Sequence, residues 1–156
     1  MEKNRGLSPV IATVLLVSIV VVLALVVFLY FRGTVDQAVV KIGKNINIVC
    51  QEDIKFSASY SGTPKTLQII NNGDVAIYDF KVRIITGGDY NSVSLKEISD
   101  FNSEGLNQGG TWNSQTSISN FDGADELLLI PVLIGTTSDG QVIYECDSST
   151  GVEVTL

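Results

Sequence analysis

Hydrophobic and polar positions divide the chain into two materials. No residue between Gly6 and Phe31 carries a charge, and Val10 to Phe31 reads VIATVLLVSIVVVLALVVFLYF. Only Thr13 and Ser18 are clearly polar in this run, and both can bond back to carbonyls of their own helix. A helix that is apolar all round is a membrane span or a fully enclosed core helix. The run is 22 residues long, which at about 1.5 Å per residue gives about 33 Å, roughly a bilayer core. So small a protein cannot enclose a helix of that length, so the pattern predicts a membrane-inserted segment. Its start is marked by Ser8 as N-cap and Pro9 at the first helical position, where a missing N–H costs nothing.

Beyond Arg32-Gly33 the pattern changes. Val35, Val39, Ile42 and Ile46 recur at spacings of four, three and four, which predicts an amphipathic helical extension over 34–48. From Cys50 onward, alternating or β-branched runs are divided by turn residues. Strands are expected at Ile54–Ser59, Thr66–Asn71, Ala76–Ile85, Ser92–Leu95, Gln115–Ser119, Glu126–Ile134, Gln141–Glu145 and Val152–Leu156. Asn72-Gly73-Asp74 reads as a hairpin turn between two of them. Gly87-Gly88, Gly109-Gly110 and Ser138-Asp139-Gly140 mark further turns, and Asp100–Asn113 reads as a long exposed loop. The expected fold class is therefore α+β: a long N-terminal hydrophobic helix followed by an antiparallel, Ig-like β-sandwich. Residues 1–6 form a basic leader, 7–48 the helix (apolar over 10–31) and 49–156 an exterior domain.

Composition narrows the chemistry. The 156 residues carry a net charge of −7 and include no histidine and two cysteines. Without histidine there is no Ser-His-Asp or Cys-His relay and no histidine metal site. No phosphate-cradling Gly loop with Lys occurs, and nothing selects a catalytic carboxylate pair, so the chain is expected not to be an enzyme. No cofactor or metal is expected either. An acidic chain repels nucleic acid. Residues 97–156 hold ten acids and no Lys or Arg, an acidic soluble surface or one that faces cations, a high-salt medium or a basic partner.

Smaller groupings each allow two readings. Asp122, Asp125 and Glu126 lack the spacing of a calcium loop and read as a solvated acidic segment. Phe101, Trp112 and Phe121 read as core beneath a long loop, with an adhesive or subunit contact as the alternative. Cys50 and Cys146 form a disulfide if the domain lies outside the cell, and are buried thiols otherwise. No Asn-x-Ser/Thr sequon occurs, so any sugar would be O-linked.

Lys3 and Arg5 precede the span and favour a cytoplasmic N-terminus. The run is too long for the apolar core of an ordinary secretory signal, and no A-x-A-like site follows Phe31. The stretch Lys3-Asn4-Arg5-Gly6-Leu7-Ser8-Pro9-Val10-Ile11-Ala12, running straight into the apolar helix, resembles the N-terminus of archaeal type IV pilins, with their class III signal peptide. Ile11 stands at the fifth position after Gly6, where bacterial type IV pilins have a registering glutamate and archaeal members lack one. The resemblance covers about the first 32 residues. It implies cleavage between Gly6 and Leu7 by a prepilin peptidase, with Lys3 and Arg5 as leader charges and Ser8-Pro9 as the near-terminal pair.

It further implies that Val10, Ile11, Val14, Leu15, Val17, Val21, Leu25, Phe28 and Phe31 would then lie in the core of a filament. The expected partners are identical subunits, the peptidase, the pilus assembly machinery and, before assembly, the membrane. The expected location is the membrane for the precursor and the cell surface for the mature subunit, where adhesion is the expected task. Two other readings use the same residues: a single-span anchored β domain that binds a partner, and a minor pilin-like subunit.

Overall fold

The computed structural model describes the backbone of residues 9–35 and 40–156. The chain divides into two compact units, one ending at Ala38 and one running from Val39 to Leu156. In the first, helix α1 spans Pro9–Val35 without interruption. Thr13 Oγ1 donates to Val10 O at 2.9 Å and Ser18 Oγ to Val14 O at 2.7 Å. Both hydroxyls are thus satisfied inside the helix, as the sequence predicts.

The second unit is an antiparallel, two-sheet β domain. Its ten strands are β1 (Val40–Lys41), β2 (Lys44–Asn45), β3 (Phe56–Gly62), β4 (Lys65–Asn71), β5 (Asp79–Thr86), β6 (Asp89–Ser94), β7 (Thr111–Asn113), β8 (Glu126–Thr137), β9 (Gly140–Glu145) and β10 (Val152–Thr155). Short helices α2 (Ile46–Ile48) and α3 (Leu95–Ile98) interrupt them. β3, β4 and β7 form one sheet and the other seven strands form the second.

The organising element of the larger sheet is β8, with twelve residues. One of its edges is taken by β5 and then by β1 at Thr136. The other is taken by β10 along Glu126–Leu129 and by β9 along Val132–Thr137. Between those two strands the chain leaves the sheet through a tight turn at Ser148–Thr150. Pro131 lies at that gap, its carbonyl accepting from Cys146 N. A residue's N–H and C=O point to the same strand edge, so the missing donor falls where no strand needs it.

Alternation supplies the core. Leu67 and Ile69 of β4 pack in one cluster with Phe80 and Val82 of β5 and Leu127, Leu129 and Leu133 of β8. An aromatic file links the two sheets: Phe56 to Phe80 at 5.0 Å, Phe80 to Phe101 at 5.8 Å and Phe101 to Trp112 at 5.2 Å. Phe101 and Phe121 are buried and Trp112 packs against the cluster, so these aromatics are core.

Several expectations are corrected. The helical extension expected over 34–48 is not what the described residues show: from Val40 the chain makes the β1–β2 ribbon and the turn α2. Residues 36–39 lie outside the described residues. The β domain therefore starts near Val40 and not at residue 49. Ile42 and Gly43 occupy the ribbon's two-residue turn with φ of 54° and 73°, the left-handed pair a tight hairpin needs.

Asn72-Gly73 is not a hairpin, because β4 and β5 belong to different sheets. A Cβ on Gly73 would meet Asp53 O and Lys55 N at 2.8 Å, so glycine serves close backbone packing there. The strand expected at Gln115–Ser119 is absent; the short strand lies earlier, at β7, and Ser114 closes its pairing with β4 through Leu67. Asp100–Asn113 is not an exposed loop, because Phe101 and Leu106 are buried and Leu106 bridges to Ile77.

Candidate functional site

The feature with the clearest physical demand is the surface of α1. Val10, Ile11, Val14, Leu15, Val17, Val21, Leu25 and Phe28 are 50–68% exposed within the chain, and Phe31 lies on the same helix. Sixteen large apolar side chains between Val10 and Leu29 are exposed in this way. At about 1 kcal/mol for each half-exposed side chain, water contact would cost on the order of 15 kcal/mol. That equals the whole folding stability of an ordinary domain. Lipid or other apolar helices would relieve such a surface.

Val10–Leu29 is long and apolar enough to cross a membrane, a property compatible with an anchor or a signal sequence. Thr13, Val14, Val17, Ser18, Val21 and Val22 share one face of it. Its two hydroxyls are turned onto helix carbonyls, so what it offers is β-branched carbon. Lys3, Arg5, Gly6, Leu7 and Ser8 lie outside the described residues, and Pro9 begins the helix.

The second feature is how the beginning of the β domain is fastened. Cys50 and Cys146 form a disulfide with Cα atoms 5.8 Å apart, and both residues are buried. The bond ties the turn Val49–Asp53 to the end of β9. Ile46 and Val49 are buried beside it. Lys41 Nζ donates to Ile134 O at 3.1 Å, and burial lowers its pKa. Lys44 pairs with Asp53 at 2.9 Å, and that hydrogen bond and charge raise its pKa. Tyr144 donates its hydroxyl hydrogen to Asn47 Oδ1. The segment that receives the chain from the helix side is thus held at several points over 40–53.

Three polar residues that sequence reasoning missed hold the loops. Asn71 is fully buried; its Nδ2 donates to Val75 O, Leu106 O and Asn107 O, and its Oδ1 accepts from Gly73 N. Asp79, also buried, accepts from Phe80 N, Ser94 Oγ and Lys96 N, fixing the start of α3. Asp147 accepts from Ser149 N at 2.9 Å, which lowers its pKa. Asn and Asp beside turns were the available signal, but their long-range acceptors were not.

The acidic segment is engaged with its own chain. Asp122 pairs with Lys65 at 2.7 Å, raising the lysine's pKa through a hydrogen bond and charge. Asp125 Oδ2 accepts from Gly87 N at 2.8 Å. Comparison with protein-family models, with curated proteins and with solved structures finds no match to this chain.

Proposed function

We propose that this chain is a structural subunit of a surface filament resembling an archaeal type IV pilus. The precursor sits in the membrane with its N-terminus in the cytoplasm. A prepilin peptidase removes residues 1–6, and α1 then packs against α1 of identical subunits with the help of the assembly machinery. The β domain forms the outer surface and makes adhesive contacts. One observation carries this reading: α1 has no polar face, and no part of Val10–Leu29 is buried within the chain. Lipid and a bundle of like helices satisfy such a surface about equally, so transfer from one to the other costs little.

The test is Ser18→Trp in the full chain, produced in its own cells. Tryptophan keeps the helix apolar enough to insert in lipid but adds bulk to the face of Val14 and Val21, where a like helix would have to pack closely. The expected result is filaments sheared from wild-type cells that label with antibody to the β domain. The variant should stay in the membrane and yield no such filaments. Wild-type cells whose sheared surface fraction lacks the chain would overturn the proposal in favour of a single-span anchored β domain.

A further inference from the structure

At one end of the β domain, Ile84, Thr86, Asp89, Tyr90, Asn91 and Asn120 surround a cleft of about 320 Å³. Register and alternation put Asp89 and Asn91 on the same face as Thr86 and Ile84, their partners on β5. Ile84 is mostly buried and forms an apolar floor. Asn120 comes from a turn at Ser119–Phe121 and stands between two buried residues, Ile118 and Phe121. The opposing wall is held as firmly. Gly87 and Gly88 make the tight β5–β6 turn with φ of 59° and 92°, and Asp125 accepts from Gly87 N and donates its N–H to Ile85 O.

Among the described residues, the side chains of Thr86, Asp89, Asn91 and Asn120 make no hydrogen bond within the chain. The cleft therefore presents a carboxylate, two amides and a hydroxyl that are solvent-exposed and not committed to bonds within the chain. Together they accept and donate, as sugar hydroxyls also do. The volume is at the small end of the roughly 300–1,000 Å³ range of ligand pockets. Among the described residues no Lys or Arg lines the cleft, although Arg83 lies over the Tyr90 ring at 5.3 Å from its centroid, and the Asp89 carboxylate repels anions.

The cleft also lies far along β8 from Val40, the first described residue of the domain. Val40 pairs with Thr136 near one end of β8, whereas β5 meets Glu126 at the other. Ten residues of strand separate those positions, about 34 Å. From these features we infer that the cleft binds a single hexose residue that is uncharged or amino-bearing, presented on a surface glycan.

The test uses the full chain in phosphatidylcholine nanodiscs, so it does not depend on filament formation. Saturation-transfer NMR is run with the methyl glycosides of glucose, galactose, mannose and N-acetylglucosamine, with glucosamine, and with glucuronic acid as the anionic comparison. At least one non-anionic hexose should bind saturably. Asp89→Ala and Asn120→Ala should each weaken it at least about tenfold, the effect of losing one or two hydrogen bonds. Asp139→Ala, in the β8–β9 turn at the opposite end, should leave it unchanged. Amide spectra confirm that each variant is folded. Binding by no hexose, binding undiminished in both cleft variants, or preference for glucuronic acid would each overturn the inference.

Discussion

Removing the disulfide should be among the most damaging changes to the β domain that leaves its backbone intact. Cys50 and Cys146 are 96 residues apart, and the loop they close contains β3 through β9. In the chain-entropy account, closing a loop near 100 residues removes about 4.7 kcal/mol of freedom from the unfolded chain. Ordinary domains are stable by only about 5–15 kcal/mol, so this one bond amounts to a third or more of the total. The Cys50→Ala/Cys146→Ala variant should therefore lose about 4 kcal/mol. At a urea dependence of about 2 kcal/mol per molar, its midpoint should fall by about 2 M.

Trp112 is the only tryptophan and packs edge-on against Phe101, so its fluorescence reports opening of the core in detergent micelles. Both half-cystines are buried, so reductant should act on the wild type only once the domain opens, and should then reproduce the variant's midpoint. A loss below about 1 kcal/mol would refute the reasoning, since it would mean that the unfolded chain gains almost nothing from release of the loop.

Gly105 has a φ of +87°, and a Cβ there would stand 2.3 Å from Ile77 O. Gly105→Ala should cost about 3 kcal/mol or more, whereas Gly109→Ala, also left-handed but with open space around it, should cost about 1–2 kcal/mol; thermal unfolding of the pair checks the difference. Asn71→Ala strips the bonds to three carbonyls in a fully buried site. It should cost about 2–4 kcal/mol in urea unfolding, and a cost below 1 kcal/mol would refute the role given to this side chain. Asp147 has a pKa lowered below its ordinary 3.8 by hydrogen bonds from Ser149, its backbone N–H first and its side chain second. Its contribution is present above that ordinary value and disappears as pH falls through the lowered one. The Ser149 amide proton should titrate with a midpoint below 3.8 and lose that titration in Asp147→Asn; a midpoint at or above the ordinary value would contradict the hydrogen-bond assignment.

Local pattern and long-range contact explain what could be read from the chain and what could not. The uniform apolar run forecast α1 because a helix without a polar face needs no tertiary information to recognise. β4, β5, β8, β9 and β10 were legible for a related reason: alternation or a long β-branched run marks a strand wherever it pairs. The ribbon at 40–45 was misread because Val35, Val39, Ile42 and Ile46 happen to keep helical spacing. What decides that segment is pairing with Thr136, far along the chain.

Asn72-Gly73 carried a hairpin signal, yet its glycine answers to the backbone of Asp53 and Lys55. Phe101 and Leu106 turn an apparently polar loop into core, through partners on β5, β7 and at Ile77. The cysteine pairing followed from there being only two, given an exterior location. The cleft around Asp89 and Asn120 left no trace in the sequence, because its two walls are 31 residues apart and meet only in the fold.

The central claim is that a leader is removed so that α1 can pack with its copies. The most direct measurement is the intact mass and N-terminal peptide of the chain recovered from sheared surface filaments of its own cells. The account predicts a mature chain beginning at Leu7, with Met1 to Gly6 absent. A chain that still carries Lys3 and Arg5, found only in the membrane fraction, would contradict it.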